Sequence, residues 1–277
     1  MDNQGLSQKN SDIISHNKTL EREINLAKKI QTKLLNGEKP KLGKDDISGV
    51  SIPARLIGGD YFDFYPLPNG KLRIVIGDVM GKGIPAAMLM ILTRGAFRTA
   101  AESTTGPGGT LTAMNNATYQ DLRKLNSFVT VFCADWEPET GILTYANAGH
   151  SLPEVIKKNG ERTELPKVKG VMIGGLSNQI YHEEKITLSE GDVVCLYTDG
   201  IIEALNRKGE LYKKERLEEV LKQHVDKSAS EIEGEVINSV MEFTEKLPQK
   251  DDITMVVLKV GEESTDIYGS NSLSLKQ

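Results

Sequence analysis

Apolar residues recur at Ile13, Leu20, Ile24, Ala27 and Leu34, and Asn17 and Gln31 fall on the same alternating spacing of four and three. That is a heptad seam with two polar interruptions, of the kind that sets register between paired helices. Near its end the stripe widens to Ile30 and Leu35, so this part docks on something broader than one helix. The pattern fits a helix paired with a second copy, and equally one packed on its own domain. Residues 1–11 are polar and read as disordered, and NGEKPKLGKDD (36–46) reads as a connector.

Beyond the connector the period changes. Strand patterns fit residues 50–56, 61–67, 71–77, 127–136, 141–147, 153–158, 180–187, 192–198 and 252–260. Many are joined by short turns (PNG, EPETG, KNGE, SEGD), which favours antiparallel hairpins. Helices fit 84–101, 108–124, 213–224 and 228–246. The first of these is apolar nearly all round at its start, as a helix buried between layers is. Antiparallel strands with helices grouped in runs predict an α+β sandwich. The Ser/Asn-rich stretch 261–277 reads as a disordered tail.

Composition narrows the function classes. A formal charge of −5 argues against a surface built to grip nucleic acid. No apolar run reaches the ~18–20 residues of a membrane helix, and MDNQGLSQKN lacks a signal-peptide core. The two cysteines, Cys133 and Cys195, lie in apolar alternating runs and read as reduced core residues of a cytoplasmic protein.

Aspartates carry the chemistry. In GGDYFDFYPLPNGKLRIVIGDVMGKG (58–83), a hairpin folded about Asn69 sets Leu67 opposite Lys71, Tyr65 opposite Arg73, and Asp60 opposite Asp78. Opposed residues on one face lie ~4.5–5.5 Å apart at Cβ. Two ionised carboxylates that close repel, unless a cation gives each a partner. VVCLYTDGIIEA then places Asp199 directly after an apolar strand, and PQKDDITMVVLKV places Asp251 and Asp252 directly before one. Acidic sites at four strand ends exceed what turn chemistry explains. Their all-oxygen character suits Mg²⁺ or Mn²⁺ over zinc, and two such ions clamp a phosphoryl group and generate hydroxide from water.

GGDYFD, GDVMGKGIPAAM, NAGH, YTDGIIEA and DDIT occur in an order that resembles the SpoIIE/RsbU-type branch of the PPM (PP2C-like) protein serine/threonine phosphatases. The resemblance covers about residues 50–260, and INLAKKIQTKLL is similar to the helix that often precedes that domain. It implies a PP2C-like αββα sandwich over 47–260, preceded by a regulatory or dimerising helix and connector over 12–46. It also implies two Mn²⁺ or Mg²⁺ ions. Asp78 would bridge them with the Val79 carbonyl in support, Asp60 would serve one, and Asp199 and Asp251 the other. Asp252 is the weaker ligand candidate. Hydroxide would attack the phosphoserine or phosphothreonine in line. The substrate implied is a phosphorylated STAS-domain anti-sigma-factor antagonist in a partner-switching pathway, with an activator or self-association acting through the N-terminal helix. Met80 and Lys82 stand where many relatives carry a small polar residue and a histidine, which leaves the general acid open.

Other readings fit less well. Gly77-x3-Gly81-Lys82 is one residue short of a nucleotide-binding loop, and Gly83 stands where Ser or Thr should hold magnesium. Asp60 and Asp63 are one residue too far apart for an Asp-x-Asp nucleophile pair, and no Cys-x5-Arg loop occurs. His150 reads as a structural hydrogen bonder and Arg55 as an ordinary strand arginine. Lys82, on a glycine-flanked turn beside Asp78, is the candidate for contact with substrate phosphate. The alternative class is a non-catalytic PP2C-like regulatory binding module; the four intact aspartates argue against it.

Overall fold

The computed structural model describes residues 3–35 and 39–261; the expected tail beyond Gly261 lies outside them. Helix α1 (Asn3–Leu35) begins well before residue 12, so helix occupies most of the stretch that reads as disordered. Among its described side chains Ile13, Leu20, Leu26 and Ile30 are exposed, Ile24 is half-buried, and the last turn docks through Gln31, Leu34 and Leu35. The expected widening therefore holds at Leu35 but not at Ile30, which stays 53% exposed.

Ten strands follow: β1 (Asp46–Ile52), β2 (Tyr61–Pro66), β3 (Leu72–Val79), β4 (Val129–Glu137), β5 (Ile142–Ala148), β6 (Glu154–Ile156), β7 (Arg162–Thr163), β8 (Glu184–Thr187), β9 (Val193–Tyr197) and β10 (Ile253–Lys259). The helices are α2 (Ile84–Ser103), α3 (Gly106–Lys124), α4 (Asp199–Ile202), α5 (Lys213–Gln223) and α6 (Ala229–Phe243). The strands form two antiparallel five-stranded sheets, in the orders β1-β10-β9-β6-β7 and β2-β3-β4-β5-β8.

Both faces of each sheet are covered, which is why the central strands read as continuous apolar runs. The period of two sorts their side chains between layers. Ile74 and Ile76 of β3, with Val194, Leu196, Val256 and Leu258 of β9 and β10, fill the space between sheets. Val75 and Val79 point instead to Met90, Phe97 and Leu111 of α2 and α3. Val193, Cys195, Met255 and Val257 meet Leu217, Leu221, Ile232 and Val236 of α5 and α6 on the other side. The result is the expected αββα sandwich. Both cysteines are buried and unbridged. No helix among the described residues is long and apolar enough to cross a membrane.

The elements differ from the pattern in several places: β1 lies at 46–52 instead of 50–56, the 180–187 strand shortens to β8, and β7 has no counterpart in the pattern. β1 ends at Ile52, so Arg55 is exposed on a loop and not on a strand. Asp199 opens a short helix, α4, where the sequence suggests only a turn.

Candidate metal centre

The β2–β3 hairpin takes the register read from its turn. Tyr65 pairs with Arg73 and Tyr61 with Gly77, while the Leu67 N–H donates to the Lys71 carbonyl at 2.8 Å. Asp60 and Asp78 are the next step outward on the two strands. β9 ends, and β10 begins, at this same end of the sandwich, which brings Asp199, Asp251 and Asp252 from the other sheet.

The two sheets are joined here through a hydroxyl. Thr198 Oγ1 donates to Asp60 Oδ2 at 2.7 Å, and accepts the Thr254 N–H at 3.0 Å. Asp252 holds the approach loop: one carboxylate oxygen accepts the Ala54 N–H and the other the Gly59 N–H, each at 2.7 Å. Its carboxylate is thus engaged by backbone. Glycine is required beside it, because a Cβ on Gly58 would collide with the Asp252 carboxylate and one on Gly200 with the Asp252 carbonyl. Gln31 of α1 closes the same loop from outside. It donates to the Gly58 carbonyl at 2.7 Å and accepts the Gly58 N–H at 3.1 Å.

The loop from Asp78 to α2 explains the GKG pattern without a nucleotide. Gly81 (φ 102°) and Gly83 (φ 72°) both adopt left-handed backbone that other residues resist. Between them Lys82 reaches across to Asp251 Oδ2 and the Lys250 carbonyl, each at 2.6 Å. The Val79 carbonyl faces the Gly58–Asp60 loop, 3.1 Å from where a Gly59 Cβ would stand. Arg55 lies against Gly83, its guanidinium 3.4 Å from the position of a Cβ there.

The electrostatics follow from this crowding. Burial lifts the Asp60 carboxyl well above its ordinary range, and the neighbouring Asp78 lifts it further against the Thr198 hydrogen bond. Burial and then Asp199 raise Asp78 to about 7, with the Asp60 side chain within hydrogen-bonding reach holding it back. Asp199 moves up through burial and Asp251, opposed by Lys82. Among the described residues no arginine or lysine pairs with Asp60 or Asp78; Lys82 is the cation that meets the cluster. Hard, all-oxygen donors that raise one another's pKa suit Mg²⁺ or Mn²⁺. Among the described residues no three acidic, His or Cys side chains already converge on one point.

His150 takes the structural role. Its backbone N–H donates to Asn147 Oδ1 and its carbonyl accepts from Asn147 Nδ2, both at 2.8 Å, and Nδ1 lies 2.9 Å from Thr130 Oγ1. Burial pushes its pKa down to about 4, which leaves the ring neutral at pH 7. Sequence reasoning missed the Thr198 link, for which no pattern exists. It noticed Gln31 only as a polar break in an apolar seam, which was the available signal.

The family described as Stage II sporulation protein E (SpoIIE) matches the chain over residues 68–261. Phosphoserine phosphatase RsbU of Bacillus subtilis (strain 168) is 28% identical over 240 residues, 87% of this chain and 70% of RsbU. Protein IcfG of Synechocystis sp. is 28% identical over 263 residues, 85% of this chain but only 41% of IcfG. Among solved structures, the SiaA-PP2C domain of Pseudomonas aeruginosa superposes with a TM-score of 0.78 at 23% identity, over 88% of this chain and 98% of that one. The catalytic domain of the serine threonine protein phosphatase PstP, in complex with 2 manganese ions, gives 0.57 at 16% identity, over 79% and 99%. The fold is that of PP2C domains.

Proposed function

The chain belongs to the SpoIIE family, and from that premise we propose that it is a metal-dependent protein serine/threonine phosphatase whose centre is the acidic end of the sandwich. One observation carries the reading: aspartates from both sheets crowd together there, Asp78 raising the pKa of Asp60, Asp199 that of Asp78 and Asp251 that of Asp199, with Lys82 the cation among them. A fold does not keep such a cluster for stability, since unpaired buried carboxylates are costly.

Two Mn²⁺ or Mg²⁺ ions would be held by Asp78 between them with the Val79 carbonyl, by Asp60 on one side, and by Asp199 and Asp251 on the other. Bound there, they supply neutralisation of phosphate charge and activation of water for in-line attack. The chain's own residues prepare the site. The Thr198 hydroxyl orients Asp60. Asp252 and Gln31 fix the loop that carries Asp60. Lys82 stands at the edge, where its ammonium can meet substrate phosphate.

The substrate we propose is a phosphorylated STAS-domain protein, an anti-sigma-factor antagonist in a partner-switching pathway, as the motif resemblance implies. The buried free cysteines suit a cytoplasmic setting. Helix α1, apolar and exposed along its stem yet tied to the loop before Asp60, would receive the signal by self-association or by binding an activator. Removing residues 1–36 should change both oligomeric state and Mn²⁺-dependent activity; unchanged values of both would sink this part. The central test is phosphate release from a phosphoserine peptide and from p-nitrophenyl phosphate, with and without Mn²⁺. Absence of metal-dependent turnover would favour a non-catalytic binding module instead, and full turnover in Asp78→Asn would overturn the assignment of catalysis to this centre.

A further inference from the structure

A groove of about 860 Å³ opens directly from the acidic centre, sharing Lys82, Gly200 and Asp251 with it. That volume lies in the range that buries a whole ligand. One wall is the 203–212 loop, pinched by a bridge between Leu205 and Leu211. The other is the C-terminal turn of α6 and the segment after it, with Ile237, Met241 and Leu247. Leu211 (42% exposed), Met241 (48%) and Leu247 (37%) place three large apolar side chains at one mouth, a grouping that marks an interaction site more than a random surface.

The second wall is held in an unusual conformation. Glu245 (φ 52°) and Lys246 (φ 58°) are consecutive non-glycine residues in left-handed backbone, which costs energy and persists only when surroundings enforce it. The turn carries Leu247 and Pro248 along the groove toward Asp251. Gln249 then anchors the segment, its Nε2 donating to the Ile52 carbonyl at 2.8 Å and the Asp251 carbonyl at 2.6 Å. Lys246 and Lys250 stand exposed on the rim, Arg207 is paired with Glu245 at 2.8 Å and Lys82 with Asp251, and Glu203 is an exposed acid in the lining, so the cations outnumber the acids.

Resting on the phosphatase reading above, we propose that this groove docks the substrate segment flanking the phosphoserine, with an aliphatic side chain between Leu211 and Met241/Leu247 and acidic residues against Lys246 and Lys250. Two features select this occupant. The groove is continuous with the centre through Asp251 and Lys82, so a chain whose phosphate sits at the centre must leave across it or beside it. Its rim charge complements a phosphorylated, acidic segment. The chain's own C-terminus is the other contender, but β10 runs away from the centre, and Gly261 is tied to Asp45 at the far end of the sandwich.

The probes are fluorescein-labelled peptides with a central phosphoserine in an acidic background. One leucine is walked through the flanking positions, against an all-serine control. Anisotropy with Mn²⁺-loaded protein, the phosphoserine replaced by its non-hydrolysable phosphonate analogue, should find one leucine register that binds about tenfold tighter than the control. Met241→Asp and Leu247→Asp should each erase that gain, while their Mn²⁺-dependent turnover of p-nitrophenyl phosphate, too small to fill the groove, stays within about twofold of wild type. Equal binding of all peptides, or a leucine preference that survives both substitutions, overturns the proposal. So does a chain ending at Gly261 that binds every peptide more tightly, since the groove would then belong to the tail. Wild type that turns over neither substrate defeats the phosphatase reading instead, and the leucine preference in binding remains readable.

Discussion

Asp60 and Asp63 sit at the start of the same strand and are almost equally buried, at 4% and 6% exposure. Their surroundings are opposite. Asp63 receives a two-pronged contact from Arg98, with both bonds at 2.8 Å, a second guanidinium from Arg94 at 3.1 Å, and the Phe64 N–H at 2.9 Å. Asp60 has one hydroxyl and faces further carboxyls. The contrast repeats on the next strands, where Arg73 opposes Asp135 in register and grips it at 2.6 and 2.7 Å, while Asp78 has no such partner. Within one sheet, then, acids matched by arginines form framework, and acids matched by acids mark the place where a cation from outside completes the charge balance.

The largest effect should come from breaking the unmatched set. Asp78→Asn is expected to cut Mn²⁺-dependent phosphate release by more than the ~100-fold that follows loss of a group merely supporting a ligand. Yet the metal-free variant should melt no lower than wild type, because one mutually repelling charge is gone. Asp63→Asn should do the reverse. It leaves Arg94 and Arg98 facing a neutral amide, and should cost about 2 kcal/mol in urea unfolding, below the usual figure for a broken buried pair because Arg98 is 41% exposed. Its Mn²⁺ affinity and turnover per folded molecule should be unchanged. A destabilised Asp78→Asn, or an Asp63→Asn with weakened Mn²⁺ binding, would erase the distinction between the two classes.

Acidity offers a gentler way to sharpen it. Asp60, Asp78 and Asp199 all have folded pKa values raised above the unfolded value of about 4. Between that value and about 7 for Asp78 the folded chain holds more protons than the unfolded one. Their contribution is therefore fully present below pH ~4 and is lost as pH rises through the folded values. His150, with its lowered pKa, opposes this by favouring the folded chain as pH rises, but three raised carboxyls outweigh one ring. Metal-free protein should therefore melt several degrees lower at pH 8 than at pH 5.5, on a scale where ~1 kcal/mol moves Tm by about 2–4 °C. Saturating Mn²⁺ should flatten the slope.

How much of this was legible in the sequence depends on whether the determinant was local. The hairpin register was, because a Pro-Asn-Gly turn fixes which residues oppose, and the aspartates at its ends then had to meet. The layers were legible through apolar runs flanked by turns. The start of α1 was not, since residues 3–11 are polar but for Leu6, and that single side chain, though seven residues before Ile13, is too little to announce a helix. Nor was the distinction between Asp60 and Asp63: the arginines that neutralise Asp63 come from α2, and only the packing of that helix on β2 brings them in. Asp252 is a similar case. Its neighbour Asp251 keeps an exposed oxygen against Lys82, whereas Asp252 turns inward to three backbone N–H groups contributed by a loop nearly two hundred residues earlier.

The smallest expected effect tests whether the unmatched carboxylates depend on distant framework. Gln31 is buried on α1 and makes both of its amide hydrogen bonds to one residue, Gly58, two positions before Asp60. Gln31→Ala leaves the Gly58 N–H and carbonyl without those partners, at roughly 1 kcal/mol for each neutral bond lost. Asp252 still holds Gly59, so the loop should loosen without detaching. The expected outcome is a Mn²⁺ binding midpoint weakened by about three- to tenfold, with global unfolding shifted by no more than ~2 kcal/mol. Gln31→Glu separates position from charge. It keeps an acceptor for the Gly58 N–H but sets a buried carboxylate against the Gly58 carbonyl, so it should weaken Mn²⁺ binding at least as much as Gln31→Ala. Free Mn²⁺ counted by electron paramagnetic resonance reads the midpoint directly. If both variants bind Mn²⁺ as wild type does, the centre is positioned by the sandwich alone, and α1 has no route to it through this loop.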